Sequence, residues 1–165
     1  MRIFKEEQRF TQSWLIVLMC VSFIVPITLI IQQYTKPNST MSLQQLLSSS
    51  IAIAASGLFI FIFKLKTRID EKGIHYQFFP FHFSLKTILW QDITKAYVRT
   101  YDPIGEFGGW GLKGGAFWNS GKGKAINVKG DIGIQLLLKN GKKLLIGTQK
   151  ENQAQKILQK YLKNE

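Results

Sequence analysis

The sequence predicts a membrane helical hairpin followed by a mainly-β domain of about seven strands, a sandwich or partly open barrel capped by a C-terminal helix. Three observations predict it. Two charge-free apolar runs lie within the first 63 residues. From residue 64 onward the apolar residues alternate in short runs, separated by Gly, Pro, Asn and Asp. After residue 150 they recur at helical spacing.

The N-terminal segment 1–13 is polar and basic. The first apolar run, Trp14 to Ile31, reads WLIVLMCVSFIVPITLII. At ~1.5 Å per residue it spans roughly 27 Å, close to the hydrocarbon thickness of a bilayer. Trp14 and Tyr34 suit interfacial anchors at its ends. Pro26 is tolerable in such a helix if a neighbour satisfies the freed carbonyl. The run is too long for a signal-peptide core, Glu6 and Glu7 precede it, and no small-x-small cleavage site follows. Cys20 is the only cysteine, so neither an internal disulfide nor a Cys/His metal site is available. It reads as a small buried apolar residue.

The loop 32–45 leads to a second span, Leu46 to Phe63. Ser48, Ala52 and Ser56 form a small-residue stripe on one helix face, of the kind that lets membrane helices pack closely. The stripe serves an internal partner or a second chain equally well. Asn38-Ser39-Thr40 matches a glycosylation sequon, but so short a loop beside a bilayer makes it a chance match. Arg2, Lys5 and Arg9 precede the first span, Lys36 alone lies between the spans, and Lys64, Lys66, Arg68 and Lys72 follow the second. The positive-inside rule then places both termini in the cytoplasm, with the chain multi-pass in the cytoplasmic membrane.

Residues 64–165 form the expected cytoplasmic domain. They hold 18 of the 22 Lys/Arg and 8 of the 10 Asp/Glu behind a net charge of +12. Such a balance suits nucleic acid or anionic lipid headgroups. The lysines are scattered through strands and turns, and the domain is tethered to a bilayer, so nucleic acid is not expected.

Thr67–Ile69 and Ile74–Phe78 flank the turn cluster Asp70-Glu71-Lys72-Gly73 and read as a hairpin, with Ile74, Tyr76 and Phe78 on one face. Pro80 ends that strand, and Phe81-His82-Phe83 alternates again. KAYVRTY is another strand, ending at Asp102-Pro103, and a Gly-rich stretch fills 105–123. Ala125–Val128 and Gly133–Leu138 follow as strands. Asn140-Gly141 predicts a type I′ hairpin turn between apolar strands. Thr148 and Glu151 make a capping box for a helix with Ala154, Ile157, Leu158, Tyr161 and Leu162 along one stripe.

GWGLKG, residues 109–114, has the letters of a dinucleotide-binding turn. Such a turn must follow a strand and open a helix. Here a Gly-rich segment precedes it and GAFWNSGKGK follows, which cannot hold a helix. The same GAFWNSGKG misses the P-loop by one residue, with Gly123 where Ser or Thr should ligate magnesium. His75 and His82 would face opposite sides of one continuous strand, and Pro80 interrupts them; Asp92, Asp102 and Glu106 have no helix that would pair them, and Asp92 and Asp102 read as turn residues. No catalytic constellation, cofactor or metal is expected, and hence no enzyme.

The stretch RTYDPIGEFGGWGLKGG, followed by KAINVKGDIGIQLLLKNGKKLLIGTQ, resembles small bacterial membrane proteins that carry a PH-like domain after a helical hairpin. Trp90/Asp92/Ile93, Tyr101-Asp102-Pro103, Glu106–Gly111, Gly133–Leu138, Asn140-Gly141 and Ile146–Gln149 carry the resemblance. It implies a two-sheet sandwich or partly open barrel with a C-terminal helical cap, and little chemistry. No compact basic loop of the inositide-binding kind is present, so fold analogy alone does not extend to such a ligand.

Two readings of the Gly/Trp segment follow. Its aromatics pack against the sheet, or Phe107, Trp110, Phe117 and Trp118 meet a membrane or partner while Lys113, Lys122 and Lys124 meet anionic lipid at ~1 kcal/mol each. The function expected is a non-catalytic, membrane-anchored binding or scaffold module. The alternative is an accessory subunit of a larger membrane complex, or a homo-oligomer, docking through its transmembrane helices.

Overall fold

The computed structural model describes residues 3–114, 121 and 123–162. The chain divides into two units, Phe10–Ile62 and the combination of Met1–Arg9 with Phe63–Glu165.

In the first unit, helix α1 spans Ser13–Tyr34 and helix α2 spans Leu43–Leu58, continued by a 3-10 turn over Phe59–Ile62. The segments Ser13–Tyr34 and Leu43–Ile62, of 22 and 20 residues, are long and apolar enough to cross a membrane. Helix α2 starts earlier than the apolar run because Ser42 caps it. Ser42 Oγ accepts from Gln45 N–H, and Gln45 Oε1 accepts from Ser42 N–H at 3.0 Å.

The helices pack on one another. The less exposed positions of α1 are Leu15, Met19, Phe23, Pro26, Ile27, Ile30 and Tyr34, and those of α2 are Leu46, Ser49, Ser50, Ile53 and Gly57. Gly57 leaves room for the Phe23 ring, which a Cβ at this position would force to move. Ser48, Ala52 and Ser56 are exposed and lie off this set of positions. Cys20 is also exposed, where the sequence led us to expect a buried residue, because it lies on a helix face that α2 does not cover.

The second unit begins with a strand the sequence reading left out, β1 (Phe4–Arg9). Then come β2 (Lys64–Asp70), β3 (Gly73–Phe79), β4 (Lys86–Leu89), β5 (Ile93–Thr100), the short helix α3 (Pro103–Phe107), β6 (Gly111–Gly114), β7 (Lys124–Asn127), β8 (Ile132–Leu138), β9 (Lys143–Gly147) and helix α4 (Glu151–Leu162). One sheet has the order β1-β2-β3-β4 and the other β5-β8-β9-β7-β6. Neither closes into a barrel. Among the described residues all ladders are antiparallel except β7 with β9.

Residues 10–62 are therefore an insertion between two paired strands. The β1–β2 register runs from Phe4↔Ile69 to Arg9↔Lys64. The chain leaves the sheet at Arg9 and re-enters it on the same rung.

The core draws Leu65, Ile69, Ile74 and Phe78 from the first sheet and Ile126, Ile134, Leu136 and Ile146 from the second. Helix α4 buries Ala154, Ile157 and Leu158 and stacks Tyr161 on Trp90. At ~25 cal/mol per Å² of apolar area, each fully buried Leu, Ile or Phe among them contributes about 2 kcal/mol against its exposed state.

Two local expectations change. The Asn140-Gly141 hairpin is not type I′, because only Gly141 has positive φ, at 78°. Gly141 N–H donates to Leu138 O at 2.9 Å, the pattern of a type I turn followed by a left-handed glycine. Thr148 does hold a backbone N–H, that of Lys150 at 3.1 Å, but its own proton goes to Glu6.

Candidate functional site

The Gly/Trp segment begins where Asp102 caps α3, accepting from the N–H groups of Ile104 and Gly105. Gly108 ends the helix in the left-handed conformation (φ 70°), which only glycine adopts without strain. Glu106 then turns back onto the sheet. Arg99 Nη1 and Nη2 donate to its two carboxylate oxygens at 3.0 and 2.7 Å, and Asp102 N–H adds a third bond at 3.0 Å. The pairing with Glu106 holds the Arg99 guanidinium above its usual pKa despite partial burial.

This fold-back packs at the C-terminal end of β5. Phe107 packs edge-on against Tyr101, whose ring joins Ala125 and Leu145 in a buried cluster. Burial pushes the Tyr101 phenol up to about 12, although Asn127 Nδ2 donates to its oxygen at 2.8 Å. Trp110 Nε1 donates to Gly130 O at 2.9 Å, and Gly111 N–H donates to Asn127 Oδ1 at 2.9 Å.

The structure thus places Phe107 and Trp110 half-buried on the sheet. Lys113 is half-buried and pairs with Ala125, while Lys124 is exposed. Phe117, Trp118 and Lys122 lie outside the described residues. GWGLKG runs from a turn into β6, so its last four residues are a strand where a dinucleotide-binding turn would open a helix. Among the described residues no group of three His, Cys, Asp or Glu side chains is placed to hold a metal ion.

A second polar cluster joins β2, β3 and β4. The buried Asp70 carboxylate meets Arg68 at 2.8 Å and His75 Nε2 at 2.9 Å, and accepts from Lys72 N–H at 3.0 Å. His75 Nδ1 bonds Thr87 Oγ1 at 2.8 Å. Burial raises the Asp70 pKa, but the His75 hydrogen bond, the Lys72 N–H and the charges of His75 and Arg68 outweigh it, leaving the carboxyl below its usual value.

The rung that links the sheet to the helical segment is basic. Glu7 is the acid among Arg9, Lys64 and Lys66, at 3.2, 3.4 and 3.9 Å. Slight burial raises its pKa, and the Arg9 hydrogen bond with the two lysines pulls it below the ordinary value.

Sequence reasoning missed one further feature. Phe81-His82-Phe83 is not a strand but part of the turn between β3 and β4. The backbone is held from inside: His82 N–H donates to Phe78 O at 2.8 Å, and Phe78 N–H donates to His82 Nδ1 at 3.2 Å. Gln77 Nε2 donates to His82 O and Phe83 O at 3.1 and 2.9 Å. The apolar side chains point outward, with Phe81 60%, Phe83 84% and Leu85 46% exposed. The signal was present as FFPFHFSL, with Phe81, Phe83 and Leu85 alternating after the proline.

Comparison with protein-family models, with curated proteins and with solved structures finds no match.

Proposed function

We propose that this chain is a non-catalytic, membrane-anchored PH-like binding or scaffold module at the inner face of the cytoplasmic membrane. The observation that carries the reading is the Arg9↔Lys64 rung. Two apolar helices leave and re-enter one sheet at a single rung, so a hairpin that crosses the bilayer has both its ends on one side. Lys5, Arg9, Lys64, Lys66 and Arg68 lie on those two strands, while the link between the helices carries Lys36 alone. That asymmetry favours the cytoplasmic side for the β unit.

The PH-like reading is supported by topology. Without the excursion from Tyr101 to Asp131, the remaining strands are the meander β1-β2-β3-β4 and the meander β5-β8-β9, followed by α4. That is seven strands in two sheets with a C-terminal helix, as the resemblance implies. Strands β6 and β7 extend the second sheet at its β9 edge.

Alkaline carbonate extraction of membranes tests the anchoring. The full chain is expected to stay in the pellet, and release into the supernatant would count against the two spans.

A second reading has its own observation. Ser48, Ala52 and Ser56 are exposed on α2, away from the positions used against α1. A small-residue stripe left open in this way suits another transmembrane helix, and the chain would then be an accessory subunit or a homo-oligomer. Crosslinked species of higher mass that disappear in the Ser48→Leu/Ala52→Leu/Ser56→Leu variant would favour it.

A further inference from the structure

The turn between β3 and β4 sits at a particular end of its sheet. Phe79, the last residue of β3, pairs with Lys64, and Lys64 pairs with Arg9. The turn therefore starts one residue beyond the rung through which the chain leaves for the apolar helices and returns. Neighbouring strands lie ~4.8 Å apart, so Phe79 is within roughly 10 Å of Arg9. The polar headgroup layer of one leaflet is of similar depth, about 5–8 Å.

Phe83 is more exposed than any large apolar side chain of the two long helices, at 84% against 67% for Ile51. An aromatic ring held that far into water by a turn with satisfied carbonyls is a built surface. Phe81 stacks on Phe78 at 5.9 Å and Phe83 sits edge-on to Phe79 at 6.0 Å, which fixes both rings from beneath. Basic residues lie on the rungs next to it. Arg9 and Lys64 share its rung, Lys66 pairs with Gln77, and Lys86 pairs with Tyr76. Glu7 is the carboxylate ion-paired among the first three of them.

We infer that the Phe81–Leu85 turn is a membrane wedge: Phe81, Phe83 and Leu85 enter the interfacial layer of the bilayer, while Arg9, Lys64, Lys66 and Lys86 meet anionic phospholipid headgroups. Aromatic side chains favour that layer, and basic residues at its surface are drawn to anionic lipid. The wedge rests on the reading that the two helices cross the bilayer. It gives the β unit a third point of attachment beside its two covalent ones, and so fixes which end of the sheet faces lipid.

The test uses the full chain in a Cys20→Ser background, reconstituted into phosphatidylcholine–phosphatidylglycerol vesicles that carry a nitroxide-labelled lipid. A fluorophore is attached in turn at Phe83→Cys, at Glu71→Cys in the turn at the opposite end of the β2–β3 hairpin, and at Val21→Cys within α1. The exposed ring at Phe83 makes that change compatible with folding. The expected result is quenching at Phe83 and Val21 and none at Glu71. Quenching at Val21 without quenching at Phe83 would overturn the wedge and leave the anchoring intact. Equal quenching at Phe83 and Glu71 would also overturn it, because the contact would not be specific to this turn. Loss of quenching at Val21 would overturn the anchoring, and the wedge with it.

Discussion

Glu6 and Thr148 lie 142 positions apart and share a buried hydrogen bond of 2.6 Å, Thr148 Oγ1 donating to Glu6 Oε2. The other carboxylate oxygen accepts Gln149 N–H at 2.8 Å. Two residues along, Gln8 Nε2 donates to Gly147 O at 2.7 Å. The edge strand of one sheet is thereby clamped to the end of β9 in the other. Thr148→Val keeps the shape and removes the donor, leaving a buried carboxylate oxygen unpaired. It should cost about 2 kcal/mol, read from the urea midpoint of the full chain in detergent. Pairing it with Glu6→Gln should cost less than the two single changes summed, since each breaks the same bond.

The clamp makes β1 part of the β unit. Residues 64–165 expressed alone should fold poorly, with the β2 edge open and Thr148 without its acceptor. Residues 3–9 joined to 64–165 through Asn-Gly should restore a cooperative transition, because Arg9 and Lys64 are already a pair and a two-residue turn closes them. Circular dichroism melts of the two chains decide the matter.

Asp70 sets an acid limit. Its folded pKa lies below the ordinary 3.8, so the unfolded chain takes up the proton first as pH falls. The stabilisation is complete above the ordinary value and is lost as pH falls through the depressed one. Asp70→Asn should cost about 2 kcal/mol at neutral pH. The gap between variant and parent should close as the pH falls into the acid range, measured by chemical denaturation across pH.

Gly57 and Ser56 are neighbours with opposite predictions. Gly57→Val drives a side chain into Phe23 and should weaken the helix pair by roughly 1–3 kcal/mol. Ser56→Val, on an exposed position, should leave it unchanged. Disulfide trapping between cysteines at Ile27 and Ile53, in a Cys20→Ser background, reports the packing in membranes.

The helices were legible because an apolar run of that length without charge has one cheap solution in a bilayer. The strand over Gly111–Gly114 was not legible in GWGLKG, whose glycines read as a turn. Nor was strand β1, because two of its inward side chains, Glu6 and Gln8, are polar, and their hydrogen bonds go to Gly147, Thr148 and Gln149. The Phe81–Phe83 alternation misled for a local reason. Gln77 and His82 satisfy that backbone from within the hairpin, so no partner strand is needed. The parallel pairing of β7 with β9 was beyond reach, since no short-range pattern announces a contact across an intervening strand.

The most direct measurement is the sidedness of single cysteines in a Cys20→Ser background, using a membrane-impermeant maleimide on sealed vesicles before and after permeabilisation. The positions are Lys5→Cys in β1, Asn38→Cys between the helices, and Asn140→Cys in the β8–β9 turn. The account predicts that Lys5 and Asn140 react together and that Asn38 reacts from the opposite face. Labelling of Asn38 and Asn140 from the same face would contradict it.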